Sequence, residues 1–323
     1  MGECVEKLPH SCGSSDGLQV FLHDDGEVQG WCFVCGTYED DPYNGKPVPE
    51  FTPKSPEEKQ AELDAIAAYP CKSIPDRKLK DWALKRFGVR TEVSQQDGKT
   101  PTLACFPYGH ADVNGVVAWK MRVLSEKRMW SVGRMKDCLP FGWRQALRSG
   151  AKTLYITEGE FDAVALYQIL KEANIGTAYA DVEHAVISVP SGAKSAAKVI
   201  SKLRPEIDKH FKETVLVFDQ DEAGQKAAEE VCRIAPNFMS ATLPCKDPNE
   251  CLIDGASKAA HSAVVFRAEK PKNSRIVYGS SLRDAARQEA VMGLSWPWQG
   301  LTEATRGIRR GETIYIGAGV KMG

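Results

Sequence analysis

The chain has 323 residues, enough for two or three domains. Its composition, with 42% hydrophobic and 26% charged residues, is that of an ordinary globular protein. The formal net charge of −1 excludes binding of nucleic acid through the field of the whole molecule, so any such interface must be a local basic patch. No apolar run approaches the roughly 18 residues of a membrane span, and the N-terminus lacks the apolar core of a signal peptide.

The first 40 residues are rich in cysteine and in turn-forming residues. With no secretion signal, this clustering favours reduced thiols that bind a metal over a disulfide framework. Cys32 and Cys35 have the two-residue spacing of a metal-binding knuckle, and the "GSSDG" after Cys12 predicts a tight turn suited to a second knuckle. Residues 41–57 are proline-rich and predict a linker.

Two helices and a set of short strands are predicted beyond this linker. The segment 55–70 predicts a helix capped by Ser55, and 73–89 predicts a second helix that ends at Gly88. Within the strand region, "AWKMRVLSEKRMW" at 118–130 mixes lysines and arginines with two tryptophans. Such a pattern suits phosphates and stacked bases, although a solvated hairpin face has the same composition.

From residue 152 the pattern alternates between apolar strands and amphipathic helices. The strand segments are "TLYIT", "HAVISV", "ETVLVF" and "MSATLP", and each precedes a helical segment. This alternation predicts an α/β fold with a mainly parallel sheet.

Acidic residues follow two of these strands. Glu158 comes directly after "TLYIT", and Asp219 and Asp221 follow "ETVLVF" one residue apart, so their side chains point the same way. Two adjacent carboxylates repel each other unless a cation lies between them, and oxygen ligands suit Mg²⁺ or Mn²⁺. A helix cap is the alternative for the Asp-x-Asp pair alone. Because acids from two strand ends meet at one edge of a parallel sheet, the sequence favours a metal site that Asp162 and Asp247 can join.

Four segments resemble a known family. "TEGEFD" (157–162) and "VFDQDEAG" (217–224) resemble the Toprim fold, whose signature is a glutamate after one strand and Asp-x-Asp after a later one. With "CGSSDG" (12–17) and "LPCKDPNECL" (243–252), nearly the whole chain resembles the bifunctional primase–helicases of T7-like phages, in matching order. The implied fold is α/β, with an N-terminal zinc ribbon followed by a primase core. That core joins an α+β N-terminal subdomain to a Toprim, Rossmann-like parallel sheet.

The resemblance also implies a domain order. The expected segments are a zinc-binding domain at 1–40, the linker at 41–57, the N-terminal subdomain at 58–150, the Toprim subdomain at 151–267, a linker and interdomain helix at 268–292, and the start of a helicase domain at 293–323. The sequence "AGVKMG", with Ala318, Gly319 and Gly323, matches the beginning of a P-loop whose lysine would come next. The chain is therefore expected to be part of a longer protein.

The zinc ligands implied by the family need one adjustment. The family supplies a Cys-x-x-Cys as the first ligand pair, but Pro9 stands three residues before Cys12 in this chain. The expected ligands of one structural Zn²⁺ are therefore His10, Cys12, Cys32 and Cys35. Cys4 and His23 remain alternatives for the place of His10.

The resemblance assigns the remaining site residues. Asp219, Asp221 and Asp247 are expected to bind Mg²⁺ or Mn²⁺, with Glu158 as general base or as a further metal ligand. Lys120 and Lys127 match the basic residues that hold the phosphates of the incoming nucleotide. Further residues are expected at the nucleotide or the template: Arg122, Arg128, Lys194, Trp31 and His23.

The implied function is synthesis of RNA primers on single-stranded DNA by a phage protein in the host cytoplasm. Ribonucleoside triphosphates are the substrates, a replicative DNA polymerase is the expected partner, and no membrane is involved. The full-length protein is expected to be a ring-forming, NTP-dependent helicase, whereas the 323-residue chain is expected to be a monomer. Two alternatives stay open: a Toprim topoisomerase or nuclease, and a non-catalytic zinc-ribbon DNA adaptor.

Overall fold

The computed structural model describes residues 3–23, 26–50, 54–190, 193–270, 292–309, 311, 313–315 and 317. The chain divides into two compact units, residues 1–270 and 271–323. The described part of the first unit contains three four-stranded sheets.

The first sheet is antiparallel, and its strands follow in chain order: β1 (Glu3–Leu8), β2 (Leu18–Leu22), β3 (Val28–Cys32) and β4 (Tyr38–Glu39). Leu18 and Val20 are buried on one face, as the two-residue period of a strand requires. After β3 the chain turns at Gly36, which has a φ of 73° and donates its N–H to the carbonyl oxygen of Cys32 at 2.8 Å. Glycine takes this left-handed conformation without strain, so the turn returns Cys35 to the side of Cys32.

The second sheet is an antiparallel meander with helices on either side of it in the chain. The elements are α1 (Pro56–Ala67), α2 (Asp81–Arg86), β5 (Arg90–Val93), β6 (Pro101–Tyr108), β7 (Ala118–Val123), β8 (Met129–Gly133) and α3 (Trp143–Arg148). Ser55 caps α1 through a reciprocal capping box with Glu58, which confirms the predicted start of this helix. Along β7, Trp119 is buried and donates its indole N–H to the carbonyl oxygen of Leu63 in α1, at 3.2 Å. This tryptophan is therefore part of the core and does not stack on bases.

The prediction of a helix over residues 73–89 is wrong for the first half of this segment. Residues Pro75–Arg77 form one turn of 3₁₀-helix, and Lys78 follows with a φ of 51°. Ile74 and Leu79 then pair in an isolated antiparallel bridge. The left-handed residue reverses the chain, so the α-helix begins only at Asp81.

The third sheet is parallel and confirms the predicted α/β architecture. Its elements are β9 (Thr153–Thr157), α4 (Glu160–Ala173), β10 (Ala185–Ser188), α5 (Ala193–His210), β11 (Glu213–Val217), α6 (Glu222–Ile234), β12 (Met239–Ser240), α7 (Pro248–Ile253) and α8 (Ser257–Val265). The strand order is β10-β9-β11-β12. Strands β9 and β11 lie side by side, and their last paired residues are Thr157 and Val217. Consequently, the residues that follow these two strands emerge next to each other.

The second unit is described from residue 292 onwards, with gaps. Leu294 and Ile308 form a bridge around a short helix, α9 (Gln299–Thr305). The predicted interdomain helix, up to residue 291, and the P-loop start at Ala318, Gly319 and Gly323 lie outside the described residues. In the part of the chain that is described, no helix has the length and apolar character needed to cross a membrane.

Candidate active site and metal centre

The acids after β9 and β11 are in direct contact. The Oε1 atom of Glu158 accepts a hydrogen bond from the backbone N–H of Asp219 at 3.1 Å. These residues are 61 positions apart in the sequence, and they meet because their parallel strands are neighbours in the sheet. The structure thus brings the two predicted motifs together at one sheet edge.

The structure gives two other predicted acids a helix-capping contact. Asp221 is the N-cap of α6, where its Oδ1 accepts from the backbone N–H of Gly224 at 2.9 Å. Asp247 is the N-cap of α7, where its Oδ1 accepts from the N–H of Glu250 at 2.7 Å. A carboxylate has two oxygens, and the cap engages one of them. The cap interpretation and the metal interpretation are therefore compatible at both positions.

Burial, mutual repulsion and hydrogen bonds shift the pKa values of these carboxylates. Burial, followed by the charge of Asp247, raises the pKa of Asp219 to about 6. Burial raises the pKa of Asp162 well above its usual range, and the charges of Asp247 and Asp219 add to the effect. At Asp221 the hydrogen bond from Gly224 instead lowers the pKa. Crowded carboxylates of this kind are stabilised in their charged form by a cation.

Lys246 is the cation nearest to the Asp-x-Asp motif among the described residues. Its Nζ lies 3.7 Å from Oδ2 of Asp219 and 3.5 Å from Oδ2 of Asp221. These charges raise the pKa of Lys246, with Asp219 as the main cause. The sequence analysis did not single out this residue, although it directly precedes Asp247 in "LPCKDPNECL".

Two glycines permit the close packing of the acids. A Cβ atom on Gly159 would lie 2.5 Å from Oδ2 of Asp162. A Cβ atom on Gly224 would lie 2.2 Å from the carbonyl oxygen of Asp219 and 2.6 Å from Oε1 of Glu158. The glycine of "DQDEAG" is therefore a spatial requirement of the site, whereas a Cβ at Gly159 would require the carboxylate of Asp162 to move.

A cleft of about 650 Å³ is lined by Glu158, Asp162, Asp219 and Asp247, and also by basic residues. The Nζ of Lys120 lies 2.6 Å from Oε1 of Glu160 and 3.3 Å from the carbonyl oxygen of Pro190. Glu160 is only 8% exposed and also accepts a hydrogen bond from the hydroxyl of Tyr108. This buried carboxylate fixes the Lys120 ammonium at the cleft.

Arg122 and Arg77 supply two more cations to the cleft. The Nε of Arg122 is buried, and it has no hydrogen-bond partner among the described residues. The guanidinium carbon of Arg77 lies 4.0 Å from the ring centroid of Phe161, and its Nη1 donates to Oδ1 of Asn249 at 2.8 Å. Sequence reasoning missed Arg77 because it assigned this segment to a regular helix.

The other predicted cations have different positions. Lys127 is exposed in the turn between β7 and β8 and is not among the described residues that line the cleft. The guanidinium carbon of Arg128 lies 5.5 Å from the ring centroid of Trp130. Lys194 belongs to α5, but its side chain lies outside the described part of the structure. Of the cations expected at the nucleotide, the structure thus brings Lys120 and Arg122 to the acids.

The N-terminal sheet carries a second, separate cluster. His10, Cys12, Cys32 and Cys35 each offer one ligand atom, and these atoms all lie within 4.8 Å of one another. The two sulfurs of Cys12 and Cys32 are 3.7 Å apart, and Sγ of Cys35 is 3.4 Å from Nδ1 of His10. Zn–S bonds of about 2.3 Å in a tetrahedral site place two sulfurs about 3.8 Å apart. The cluster therefore has the size and the donor chemistry of a structural zinc site.

Two further contacts prepare this cluster for a metal. The Nε2 of His10 lies 3.1 Å from Oε1 of Glu39, an arrangement that leaves Nδ1 to face the thiols. A hydrogen bond from Thr37 lowers the pKa of Cys35 to about 6, which favours the thiolate. Glu39 was missed by sequence analysis, because nothing in its sequence surroundings links it to His10.

The alternative ligands and the proposed base-contacting residues lie outside this cluster. The Sγ of Cys4 is 3.7 Å from the carbonyl oxygen of Glu6 in β1, and His23 follows β2. Trp31 is 38% exposed on β3, and Phe33 beside it is 60% exposed. The exposed aromatic surface thus includes Phe33, which the sequence analysis did not consider.

Comparisons with known proteins agree with this arrangement. Residues 155–252 match the Toprim-like family. The chain is 31% identical over 333 residues to the DNA helicase/primase of Enterobacteria phage T3, a match that covers 97% of this chain and 53% of that protein. The chain thus spans about half the length of that relative.

Similar solved structures include the crystal structure of the primase fragment of the bacteriophage T7 primase-helicase protein. It has a TM-score of 0.50 and 24% identity, and the match covers 80% of this chain and 98% of that one. Another holds primase domains of two subunits of the T7 protein, bound to an RNA/DNA hybrid and dTTP and interacting with the lagging-strand DNA polymerase. Its TM-score is 0.49 at 28% identity, with 61% of this chain and 90% of that chain covered.

The match over residues 155–252 and the parallel sheet found there identify a Toprim-like domain. The chain thus contains a Toprim-like domain, is similar over 97% of its length to the DNA helicase/primase of phage T3, and has the fold of a primase fragment.

Proposed function

We propose that this chain is the primase part of a phage-type primase–helicase, and that it synthesises short RNA primers on single-stranded DNA. The observation that carries the proposal is the contact between Glu158 and Asp219 at adjacent parallel strand ends, in a cleft that Lys120, Arg122 and Arg77 also line. In the proposed reaction, the 3′-hydroxyl of one ribonucleotide attacks the α-phosphate of the next nucleoside triphosphate, and pyrophosphate leaves.

The acids of the cleft suit Mg²⁺ or Mn²⁺ because they offer only carboxylate oxygens. Asp219 and Asp221 are the proposed ligands, with Asp247 beside them. The raised pKa of Asp219 supports this role, since a cation offsets the burial and repulsion that cause the shift. When bound, a divalent metal would lower the pKa of the attacking hydroxyl and neutralise triphosphate charge.

Glu158 is the proposed general base. Its Oε1 accepts a hydrogen bond from the N–H of Asp219. The same oxygen lies close to Gly224 in the first turn of α6, where a Cβ atom would be only 2.6 Å from it. The carboxylate would take the proton of the attacking 3′-hydroxyl.

Lys120 and Arg122 are the proposed phosphate ligands. The ammonium of Lys120 has three donors, and its contacts with Glu160 and the carbonyl oxygen of Pro190 leave one for a phosphate. Arg122 brings a buried Nε–H with no partner in the described structure. Lys127 stays a proposal from family resemblance, because the described structure offers it no place in the cleft.

The N-terminal module is proposed to bind one structural Zn²⁺ through His10, Cys12, Cys32 and Cys35, and to read the template. Its exposed Trp31, together with His23, would contact bases, because aromatic rings stack on unpaired bases. Arg128 and Lys194 are proposed to contact the template backbone on the primase core.

Beyond this chain, we propose that the full-length protein is an NTP-dependent helicase that forms a ring and acts with a replicative DNA polymerase in the host cytoplasm. This proposal extends the similarity to the T3 helicase/primase, of which the chain covers 53%.

The test is to incubate the chain with a library of random single-stranded DNA, Mg²⁺ and labelled ribonucleotides. The expected product is short RNA that depends on both template and Mg²⁺. Cleaved or rejoined DNA without RNA would instead indicate a topoisomerase or nuclease. Binding of DNA with no product would indicate a non-catalytic adaptor.

A further inference from the structure

Lys246 has no role in the chemistry described so far, yet its ammonium lies between the two acids of the Asp-x-Asp motif. Its Nζ is 3.7 Å from Oδ2 of Asp219 and 3.5 Å from Oδ2 of Asp221. A divalent metal that binds both aspartates needs this same space between them. The ammonium and the metal therefore exclude each other.

The backbone of Lys246 is fixed to the motif. The N–H of Gln220, the residue between the two aspartates, donates to the carbonyl oxygen of Lys246 at 2.7 Å. The N–H of Lys246 donates to Oε2 of Glu250 at 2.6 Å. The position from which the lysine reaches both aspartates is thus part of the fold.

The side chain of Lys246, in contrast, is free to leave. It is 53% exposed, and its two ionic contacts are longer than the roughly 2.7–2.9 Å of a charged hydrogen bond. Lys120 differs on both counts, because its side chain is 20% exposed and lies 2.6 Å from Glu160. The ammonium of Lys120 is thus held in place, whereas the ammonium of Lys246 is held only by charge.

We propose that Lys246 is an exchangeable counter-cation. Its ammonium stabilises Asp219 and Asp221 in the metal-free site, gives them up to the divalent metal, and then binds the phosphates of the incoming nucleoside triphosphate. The inference rests on the proposed function, since it requires a metal-dependent nucleotidyl transfer in this cleft. It follows that nucleotide promotes metal binding, because the phosphates give the displaced ammonium a new anionic partner.

The test measures binding of Mn²⁺ alone to the zinc-loaded chain, by the electron paramagnetic resonance signal of the free ion. Lys246→Met should tighten Mn²⁺ binding roughly threefold to thirtyfold, because the ion no longer displaces two exposed ion pairs. Lys246→Arg keeps the charge and should bind as the wild type does. Lys226→Met is the matched control, because Lys226 is an exposed lysine in the helix that Asp221 caps, but it pairs with Glu222 at 2.6 Å.

A second readout addresses the phosphates. With Mn²⁺ saturating, Lys246→Met should raise the KM for ribonucleotides severalfold, whereas Lys226→Met should leave it unchanged. An unchanged KM in Lys246→Met would overturn the transfer of the ammonium to the nucleotide.

Asp221→Asn separates failure of this inference from failure of the proposed function, and asparagine keeps the cap of α6. If Asp221→Asn weakens Mn²⁺ binding while Lys246→Met leaves it unchanged or weaker, the Lys246 proposal alone is overturned. If Asp221→Asn binds Mn²⁺ as tightly as the wild type, the metal is elsewhere and both proposals are overturned.

Discussion

Replacement of Gly224 by alanine gives a sharp prediction, because helix propensity and tertiary packing change the stability of the protein in opposite directions at this position. Gly224 lies in the first turn of α6, where replacement by alanine would normally stabilise a helix by up to about 1 kcal/mol. In this fold the added Cβ would lie 2.2 Å from the carbonyl oxygen of Asp219 and 2.6 Å from Oε1 of Glu158. Contacts shorter than 3.0 Å essentially never occur for a Cβ, so α6 must move away from the residues after β11.

The expected net effect is a loss of stability. Overpacking of a tight site costs about 1–3 kcal/mol, which exceeds the gain in helix propensity. Gly224→Ala should therefore lower the free energy of unfolding by roughly 1–2 kcal/mol. It should also reduce primer synthesis, because the shift breaks the contact between Glu158 and Asp219.

The assay is urea denaturation, followed by primer synthesis on the folded variant. Gly300→Ala is the matched control, because Gly300 lies in the first turn of α9 and its Cβ would meet none of the described residues within 4 Å. It should be neutral or slightly stabilising. A Gly224→Ala protein that is as stable and as active as the wild type would refute the packing argument.

Three further predictions concern the zinc centre, the crowded carboxylates and the basic residues of the cleft. Glu39→Ala should weaken zinc binding about 10- to 100-fold in a chelator competition, and it should have no effect in a His10→Cys background, where no imidazole needs orienting. The pKa of Asp219 is raised to about 6, so the folded protein keeps a proton on this carboxyl that the unfolded chain already releases near pH 4. The free energy of unfolding therefore falls as the pH rises through 6. In Mg²⁺-free buffer at pH 8, the free energy of unfolding of Asp219→Asn, measured by urea denaturation, should therefore exceed that of the wild type by roughly 1–3 kcal/mol. The difference should vanish at pH 4. Tyr108→Phe removes a hydrogen bond to buried Glu160 and should lower the free energy of unfolding by about 1–3 kcal/mol in the same assay. Equal stability of Tyr108→Phe and the wild type would show that this bond is unimportant.

Much of the parallel sheet and its acidic edge could be predicted because these features follow from local patterns. Alternating apolar strands and amphipathic helices predict a parallel sheet, and parallel strands end at a common edge. Glu158 and Asp219 were therefore expected to be close before any distance was known. Their actual contact, through the N–H of Asp219, depends on Gly224 and needed the packed structure.

Other features depend on contacts that sequence spacing does not encode. Arg77 reaches the cleft because the left-handed Lys78 ends a single 3₁₀ turn, where periodicity predicted a regular helix. Trp119 resembled a base-stacking residue beside Lys120, but strand alternation places successive side chains on opposite faces of the sheet. Such positions are decided by tertiary packing, which overrides local composition.

Primer synthesis by single-residue variants of the acids tests the central claim most directly. Asp219→Asn, Asp221→Asn and Glu158→Gln should each reduce Mg²⁺-dependent RNA yield by roughly 100-fold or more, with the zinc content unchanged. Glu222→Gln is the control, because Glu222 follows Asp221 directly in the sequence. It should retain activity, because its side chain is 83% exposed. Wild-type yields of RNA from Asp219→Asn would contradict the assignment of the active site.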